Sequence, residues 1–157
     1  MYHEILLAVA IHQWEEFTPH ALAARDVAVA MAKGSGARLS VLSIYDYGKI
    51  TEPSLSADMA ARYREDMMQR IDGTMEMKMK AFLAGMQPMD LPITPIVQLG
   101  EPRKTIIEVG ERLPADVLII GAHSKRSVLD VVLGGTAGYV SRHASCPVIM
   151  VTPRKTP

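Results

Sequence analysis

Short apolar runs alternate with amphipathic segments along the whole chain. A continuous apolar run is typical of a strand that is covered on both faces. Five predominantly apolar segments predict strands, namely residues 5–9, 39–44, 93–99, 117–120 and 147–151, and the runs at 5–9 and 117–120 are unbroken. Pro95 lies inside the third of them, and a proline at that place favours an edge strand or an irregular start, because it cannot donate to a central ladder.

The segments between these runs predict four helices. Thr18 and Pro19 are typical of an N-cap followed by a proline at the first helical position, so we expect a helix over residues 20–33. Glycines at positions 34 and 36 end it. Ser56 is the expected N-cap of a long helix that ends near residue 85, and two shorter helices are predicted over residues 102–113 and up to residue 143.

The long second helix carries a row of mostly sulfur-containing side chains. Apolar residues recur there at every fourth position, at Tyr63, Met67, Ile71, Met75 and Met79. Such a stripe predicts the face that packs on the sheet. The alternative is a soft surface that binds a partner, since methionine adapts to irregular contacts.

Alternating strands and helices predict an α/β fold. Right-handed crossovers then give one open, twisted, parallel five-stranded sheet with helices on both faces, a three-layer arrangement of the Rossmann-like or flavodoxin-like kind. We expect a single domain over residues 1–153 and a flexible tail over residues 154–157.

Charge and cysteine content narrow the choice of partners. Lys and Arg number 17, as do Asp and Glu, so the 157-residue chain has no net charge, and we expect neither nucleic acid nor a membrane as partner. Cys146 is the sole cysteine, which excludes an intramolecular disulfide. With no basic start or cleavage site at the N-terminus, these features predict a cytoplasmic protein.

Ligands of such sheets bind beyond the carboxyl ends of the strands, where the strand order reverses. The loop over residues 121–136 is the most informative of three that reach this edge, because glycines come directly before a helix and a basic pair lies inside the loop. Close backbone approach and a helix N-terminus favour a phosphate group. A tight turn followed by an N-cap explains the same pattern, and the spacing alone leaves both interpretations open.

In this loop the chain resembles the universal stress protein family. ATP-binding members carry Gly, two residues, Gly, nine residues, then Gly and Ser or Thr; here Gly121 and Ser124 are followed after nine residues by Gly134, Gly135 and Thr136. Residues 5–9, 36–39, 115–121 and 142–148 also match the family in style and spacing, so the resemblance covers essentially the whole chain.

The resemblance implies an adenine-nucleotide site and a role as a nucleotide sensor in stress response. The implied ligand is ATP or AMP, with Mg²⁺ only where ATP binds. The implied binding residues are Ala8, Val9, Ala10, Val41, Gly121, His123, Ser124, Lys125, Arg126, Gly134, Gly135 and Thr136.

Three positions depart from the family pattern. Ala10 replaces the acidic residue that recognises the nucleoside, which removes a charge-assisted hydrogen bond worth about 1.5–3 kcal/mol. That loss corresponds to about one to two orders of magnitude in affinity. Ser124 replaces the second glycine and Gly135 replaces the hydroxyl residue. One hypothesis is that Trp14 covers the cleft and substitutes stacking for the lost contact; the alternative is a loop anchor.

Neither a metal site nor a catalytic assembly is predicted. Of the five histidines, His12 and His20 share one loop-helix region, and neither pairs with a cysteine or carboxylate at metal-ligand spacing. No nucleophile elbow, zinc-protease motif or P-loop occurs. We therefore expect a protein that is not an enzyme, and slow hydrolysis of ATP is the one reaction left open. We also expect the thiol of Cys146 to be buried and inert.

Association is the second class of function. The resemblance implies a homodimer that pairs its last strands antiparallel, through Val148, Ile149, Met150 and Val151. An exposed apolar edge strand invites such pairing, and a proline at Ile149 is expected to disrupt it. Two functions thus remain open, a nucleotide sensor and a dimeric interaction module that binds no nucleotide.

Overall fold

Strands and helices alternate in the computed structural model, which describes residues 1–11, 16–48, 50, 53–86, 90–122 and 135–154. In chain order the elements are β1 (Glu4–Ala8), α1 (Pro19–Ser35), β2 (Arg38–Tyr45), α2 (Ala57–Ala84), β3 (Ile93–Leu99), α3 (Pro102–Arg112), β4 (Val117–Gly121), α4 (Gly135–His143) and β5 (Val148–Val151). All four neighbouring pairs of strands are parallel, in the order β3-β2-β1-β4-β5. The predicted α/β sheet is confirmed.

Helices cover both faces of the sheet. Successive side chains of a strand point to opposite faces, so the apolar strands need a core on each side. Ile5 and Leu7 of β1 face a core that α1 and α2 complete, whereas Leu6 and Ala8 face a second core completed by α3 and α4. The central strands β1 and β4 are buried on both sides, which explains their unbroken apolar runs. The three-layer arrangement follows.

The first helix begins as its sequence predicts and ends slightly later. Thr18 Oγ1 accepts a hydrogen bond from the backbone N–H of Ala21 at 3.1 Å, and Pro19 occupies the first helical position. Gly36 adopts a left-handed conformation with φ of 73° and donates its N–H to Ala32. The helix runs through Ser35, two residues past the predicted end, because Gly36 alone has the terminating geometry.

Pro95 lies on an edge strand, as predicted. Hydrogen bonds from Leu39 N to Pro92 O and from Gly100 N to Tyr45 O show that even-numbered residues of β3 bond to β2. Residue 95 is out of phase with that ladder, so the missing N–H of the proline costs no hydrogen bond. The proline also removes a donor from the free edge, which discourages pairing with another chain.

The predicted stripe of α2 packs on the sheet only in its second half. Met75 and Met79 are 3% and 2% exposed, whereas Tyr63 and Met67 are half-exposed. A repeat of four residues advances by about 400° on an α-helix, so the stripe drifts by about 40° at each step. Tyr63 therefore lies about 120° around the helix from Met75 and cannot face the same sheet.

Candidate functional site

The strand order reverses between β1 and β4, because the chain fills one side of β1 with β2 and β3 and then crosses to the other side. Ala8 lies opposite Ile120 as the last pair in register. The next residues, Val9 and Ala10, therefore leave the sheet beside Gly121. Val9 is buried and Ala10 is exposed. This crevice is the place at which open α/β sheets bind ligands.

Gly121 lets the start of α1 approach the end of β4. A Cβ added at this position would lie 3.0 Å from the carbonyl oxygen of His20 and 3.2 Å from its carbonyl carbon. Any side chain at this position would push against backbone atoms. The glycine is thus required by packing at the crevice, and its absent side chain brings the first turn of α1 to the carboxyl edge of β4.

Helix α4 begins at the same edge of the sheet because it follows β4. Gly135 and Thr136 belong to its first turn, whereas the sequence pattern predicts that they precede the helix. Gly135 is exposed and has φ of 78°, and no atom of the described residues lies within 4 Å of a Cβ added there; Thr136 is half-buried. The first turn holds no acidic side chain. Its amide groups and dipole favour an anion.

The structure brings together only part of the implied site. Ala8, Val9, Ala10 and Gly121 meet at the crevice, and α4 supplies Gly135 and Thr136 at the same edge. The side chain of Val41 does not reach this edge: it is 0% exposed in the middle of β2, opposite Leu7 and Pro95, and packs in the core. His123, Ser124, Lys125, Arg126, Gly134 and Trp14 lie outside the described residues.

Two tyrosines at the carboxyl end of β2 form a cluster that sequence reasoning missed. The hydroxyls of Tyr45 and Tyr47 donate to the two oxygens of Asp72 in α2, the second at 3.3 Å. Burial, followed by the hydrogen bond to Asp72, raises the pKa of both phenols. The spacing Tyr-x-Tyr after a strand was a visible signal, but Asp72 lies 27 residues from Tyr45. The cluster ties α2 to the end of β2.

The remaining chemistry of the described residues is limited. Within these ranges no three His, Cys, Asp or Glu side chains come close enough to hold a metal ion. Cys146 is half-buried, and desolvation raises the pKa of its thiol, which keeps it protonated and weakly nucleophilic. None of the described helices is both long enough and apolar enough to cross a membrane.

Comparison with known proteins gives one consistent family. The sequence model of the Universal stress protein family matches residues 1–152. Universal stress protein G of Salmonella typhimurium is 42% identical over 55 residues, a stretch that covers 35% of this chain and 38% of that protein. The match thus spans well under half of that curated relative.

Two solved structures show the same fold over nearly the whole chain. A universal stress protein family protein from Arabidopsis thaliana with AMP bound superposes with a TM-score of 0.66 at 15% identity, covering 95% of this chain and 90% of that one. A universal stress protein in complex with cAMP gives a TM-score of 0.58 at 19% identity and covers 98% of both chains. The family model matches residues 1–152, and the parallel sheet has the strand order described above. The chain therefore belongs to the universal stress protein family.

Proposed function

We propose that this universal stress protein binds an adenine nucleotide in the crevice between β1 and β4 and acts in stress response as a nucleotide-responsive binding protein. One observation carries the proposal: helix α4 opens at this edge with an exposed glycine and no acidic residue in its first turn. Such a helix start attracts a phosphate group. The AMP and cAMP in the two structural neighbours support the choice of an adenine nucleotide.

The residues at the edge fit the phosphate end of such a ligand. No described residue would contact a Cβ at Gly135, which leaves room on that side for phosphate oxygens beside the backbone amides of α4. The hydroxyl of Thr136 would donate to the same oxygens. Lys125 and Arg126 of the preceding segment would add positive charge.

The nucleoside end is where the fit is weaker. Ala10 is exposed at the exit of β1 and offers no carboxylate to a ribose or base. We therefore expect the protein to bind AMP and ATP through their phosphates and to discriminate little between nucleosides. The proposal covers binding and assigns no residue to hydrolysis.

The test is titration calorimetry with ATP, ADP and AMP, with and without Mg²⁺, on the wild type and on Ala10→Asp. Restoring the carboxylate adds a charge-assisted hydrogen bond worth about 1.5–3 kcal/mol, so the variant should bind about 10- to 150-fold more tightly. Ala10→Asn, which is neutral, should gain less. Ala61→Asp, an exposed alanine on α2, is the control for the added charge and should change nothing.

Two outcomes would reject nucleotide binding at this crevice. One is that neither the wild type nor Ala10→Asp releases heat with any of the nucleotides. The other is that Ala61→Asp changes affinity as much as Ala10→Asp, since the gain would then come from net charge and not from a contact at the end of β1.

A second function, association through β5, is favoured by a separate observation. Among the described residues β5 pairs only with β4. Hydrogen bonds from Leu118 N to Pro147 O and from Ala122 N to Val151 O place odd-numbered residues of β5 in that ladder. The N–H and C=O groups of the even-numbered residues therefore face the free edge, and Met150 is 44% exposed there.

We propose that a second copy pairs with this edge to form a homodimer, which is the interaction module of the alternative function. Light scattering of the wild type over a dilution series tests it directly. A mass of one chain at every concentration would contradict the proposal, whereas a mass of two chains that survives dilution supports it.

A further inference from the structure

Helix α2 presents a second regular face that the sheet does not use. Residues on this face recur with alternating spacings of four and three, the pattern by which two helices pack along a shared seam. Its members, here called the α2 seam, are Met59, Tyr63, Asp66, Arg70, Gly73 and Met77. At about 100° per residue, the mean direction of the seam lies about 170° from that of Met75, Met79 and Phe82, which are buried in the core.

The seam is accessible along its length. Met59 and Met77, both large and apolar, are 57% and 73% exposed. The side chains of Asp66 and Arg70, at the centre of the seam, are 56% and 72% exposed and form an ion pair at 3.0 Å. An apolar residue thus lies at each end and a pair of opposite charges in the middle.

The seam is complementary to itself when the second helix runs antiparallel. A two-fold axis at the level of Met68 places Asp66 opposite the partner's Arg70 and Arg70 opposite the partner's Asp66. The same axis places Met59 opposite the partner's Met77. Both ends therefore bring two methionines together, while the centre carries two ion pairs between the chains, and charges of this kind set the register and direction of paired helices.

The same axis gives Gly73 a role that the fold does not supply. A glycine in a helix interior costs about 1 kcal/mol relative to alanine. Within the part of the chain that the structure describes, a Cβ at Gly73 would meet no atom within 4 Å. In the antiparallel pair, Gly73 lies opposite the partner's Tyr63. The missing side chain leaves space in which a tyrosine ring can pack against the helix backbone.

From these pairings we infer that the α2 seam binds the α2 seam of a second copy of this chain. The contact runs from Met59 to Met77, about five helical turns or about 27 Å. A contact of that size belongs with small, readily reversible interfaces. It uses a different surface from β5 and needs no nucleotide, so two copies joined at β5 would assemble further through α2.

Charge reversal at the centre of the seam is the decisive experiment. Asp66→Arg places like charges at both central contacts, and Arg70→Asp does the same with the opposite sign. The double variant D66R/R70D restores opposite charges. Glu65→Arg makes the same change in charge at a neighbouring exposed position of α2 that lies off the seam, and it serves as the matched control.

Sedimentation velocity of the full chain over a dilution series measures the association. We expect each single reversal to weaken association through α2 by about tenfold, the sum of two small exposed ion-pair effects, and the double variant to restore it. Glu65→Arg should behave as the wild type. The inference is overturned if the single reversals associate as the wild type does, or if Glu65→Arg weakens association equally.

Disulfide trapping tests the register without depending on β5. Met59→Cys and Met77→Cys are combined in a Cys146→Ser background, where the two new thiols of one chain lie too far apart to bond with each other. Mild oxidation should link Cys side chains of two chains, between positions 59 and 77 in peptide maps. A Glu65→Cys variant in the same background should stay unlinked. Failure to link 59 to 77 while the protein stays folded by circular dichroism overturns the inference.

Discussion

Two serines on β2 should respond in opposite directions to the same substitution. Ser40 and Ser43 are both buried, at 3% and 0% exposure. The hydroxyl of Ser40 donates to Glu4 Oε1, whereas Ser43 Oγ has no hydrogen-bond partner in the described structure. Ser43 lies between Val41 and Tyr45 on the face that α1 and α2 cover, so its hydroxyl is held among apolar side chains.

The magnitudes follow from these surroundings. A buried polar group without a partner costs about 1–3 kcal/mol, so Ser43→Ala should recover about 1 kcal/mol after the small loss of packing. For a domain of this size the midpoint of thermal unfolding should rise by about 2–4 °C. Ser40→Ala instead takes a donor from Glu4, which is 6% exposed, and should cost about 1.5–3 kcal/mol although Arg38 Nε remains 3.1 Å from that carboxylate.

Urea unfolding followed by circular dichroism, with scanning calorimetry beside it, measures both free energies. Ser54→Ala, at an exposed position, is the control and should leave the free energy of unfolding unchanged. The reasoning is refuted if Ser43→Ala destabilises the protein, because its hydroxyl must then be satisfied in solution. It is also refuted if Ser40→Ala is neutral, because the contact with Glu4 would then contribute nothing.

Two further predictions concern the edges of the sheet. The backbone N–H groups of Glu4, and then of His3, donate to Asp116 and lower its pKa. The contribution of this carboxylate to stability is therefore present above the ordinary pKa of aspartate and is lost as the pH falls through the lowered value. Asp116→Asn should be less stable than the wild type in urea at neutral pH, and the difference in stability should close in acid. In β5, Met150→Pro should keep the fold and abolish dimers, because the N–H of residue 150 faces the free edge. Ile149→Pro should lower the urea midpoint, because the N–H of residue 149 bonds to β4. Equal losses of stability in the two variants would contradict this assignment of inward and outward N–H groups.

The β5 prediction shows where sequence reasoning stops. An apolar last strand is visible in the sequence, and it suggests Ile149 as the place to break a dimer. Which residues face outward depends on the register with β4, and the register is a property of the pair of strands. The structure moves the informative substitution by one residue, to Met150.

The candidate site divides in a similar way. The sequence indicates a glycine at the end of β4 and glycines before α4, because glycine alone tolerates close backbone approach and positive φ. It does not indicate that Gly121 packs against the carbonyl of His20, or that Val41 points into the core. Both depend on how a helix and a strand distant in sequence meet in space.

Local chemistry by itself determined the elements of this protein: unbroken apolar runs for strands buried on both faces, Thr18 and Gly36 for the ends of α1, and the alternation that implies a parallel sheet. Such signals act between residues within a few positions of each other, so the sequence displays them directly. The tertiary structure alone decided which half of the α2 stripe is buried, that Tyr45 and Tyr47 bond to Asp72, and which groups of β5 face outward. These outcomes depend on helix twist, strand register and contacts across the chain, and no short stretch of sequence carries that information.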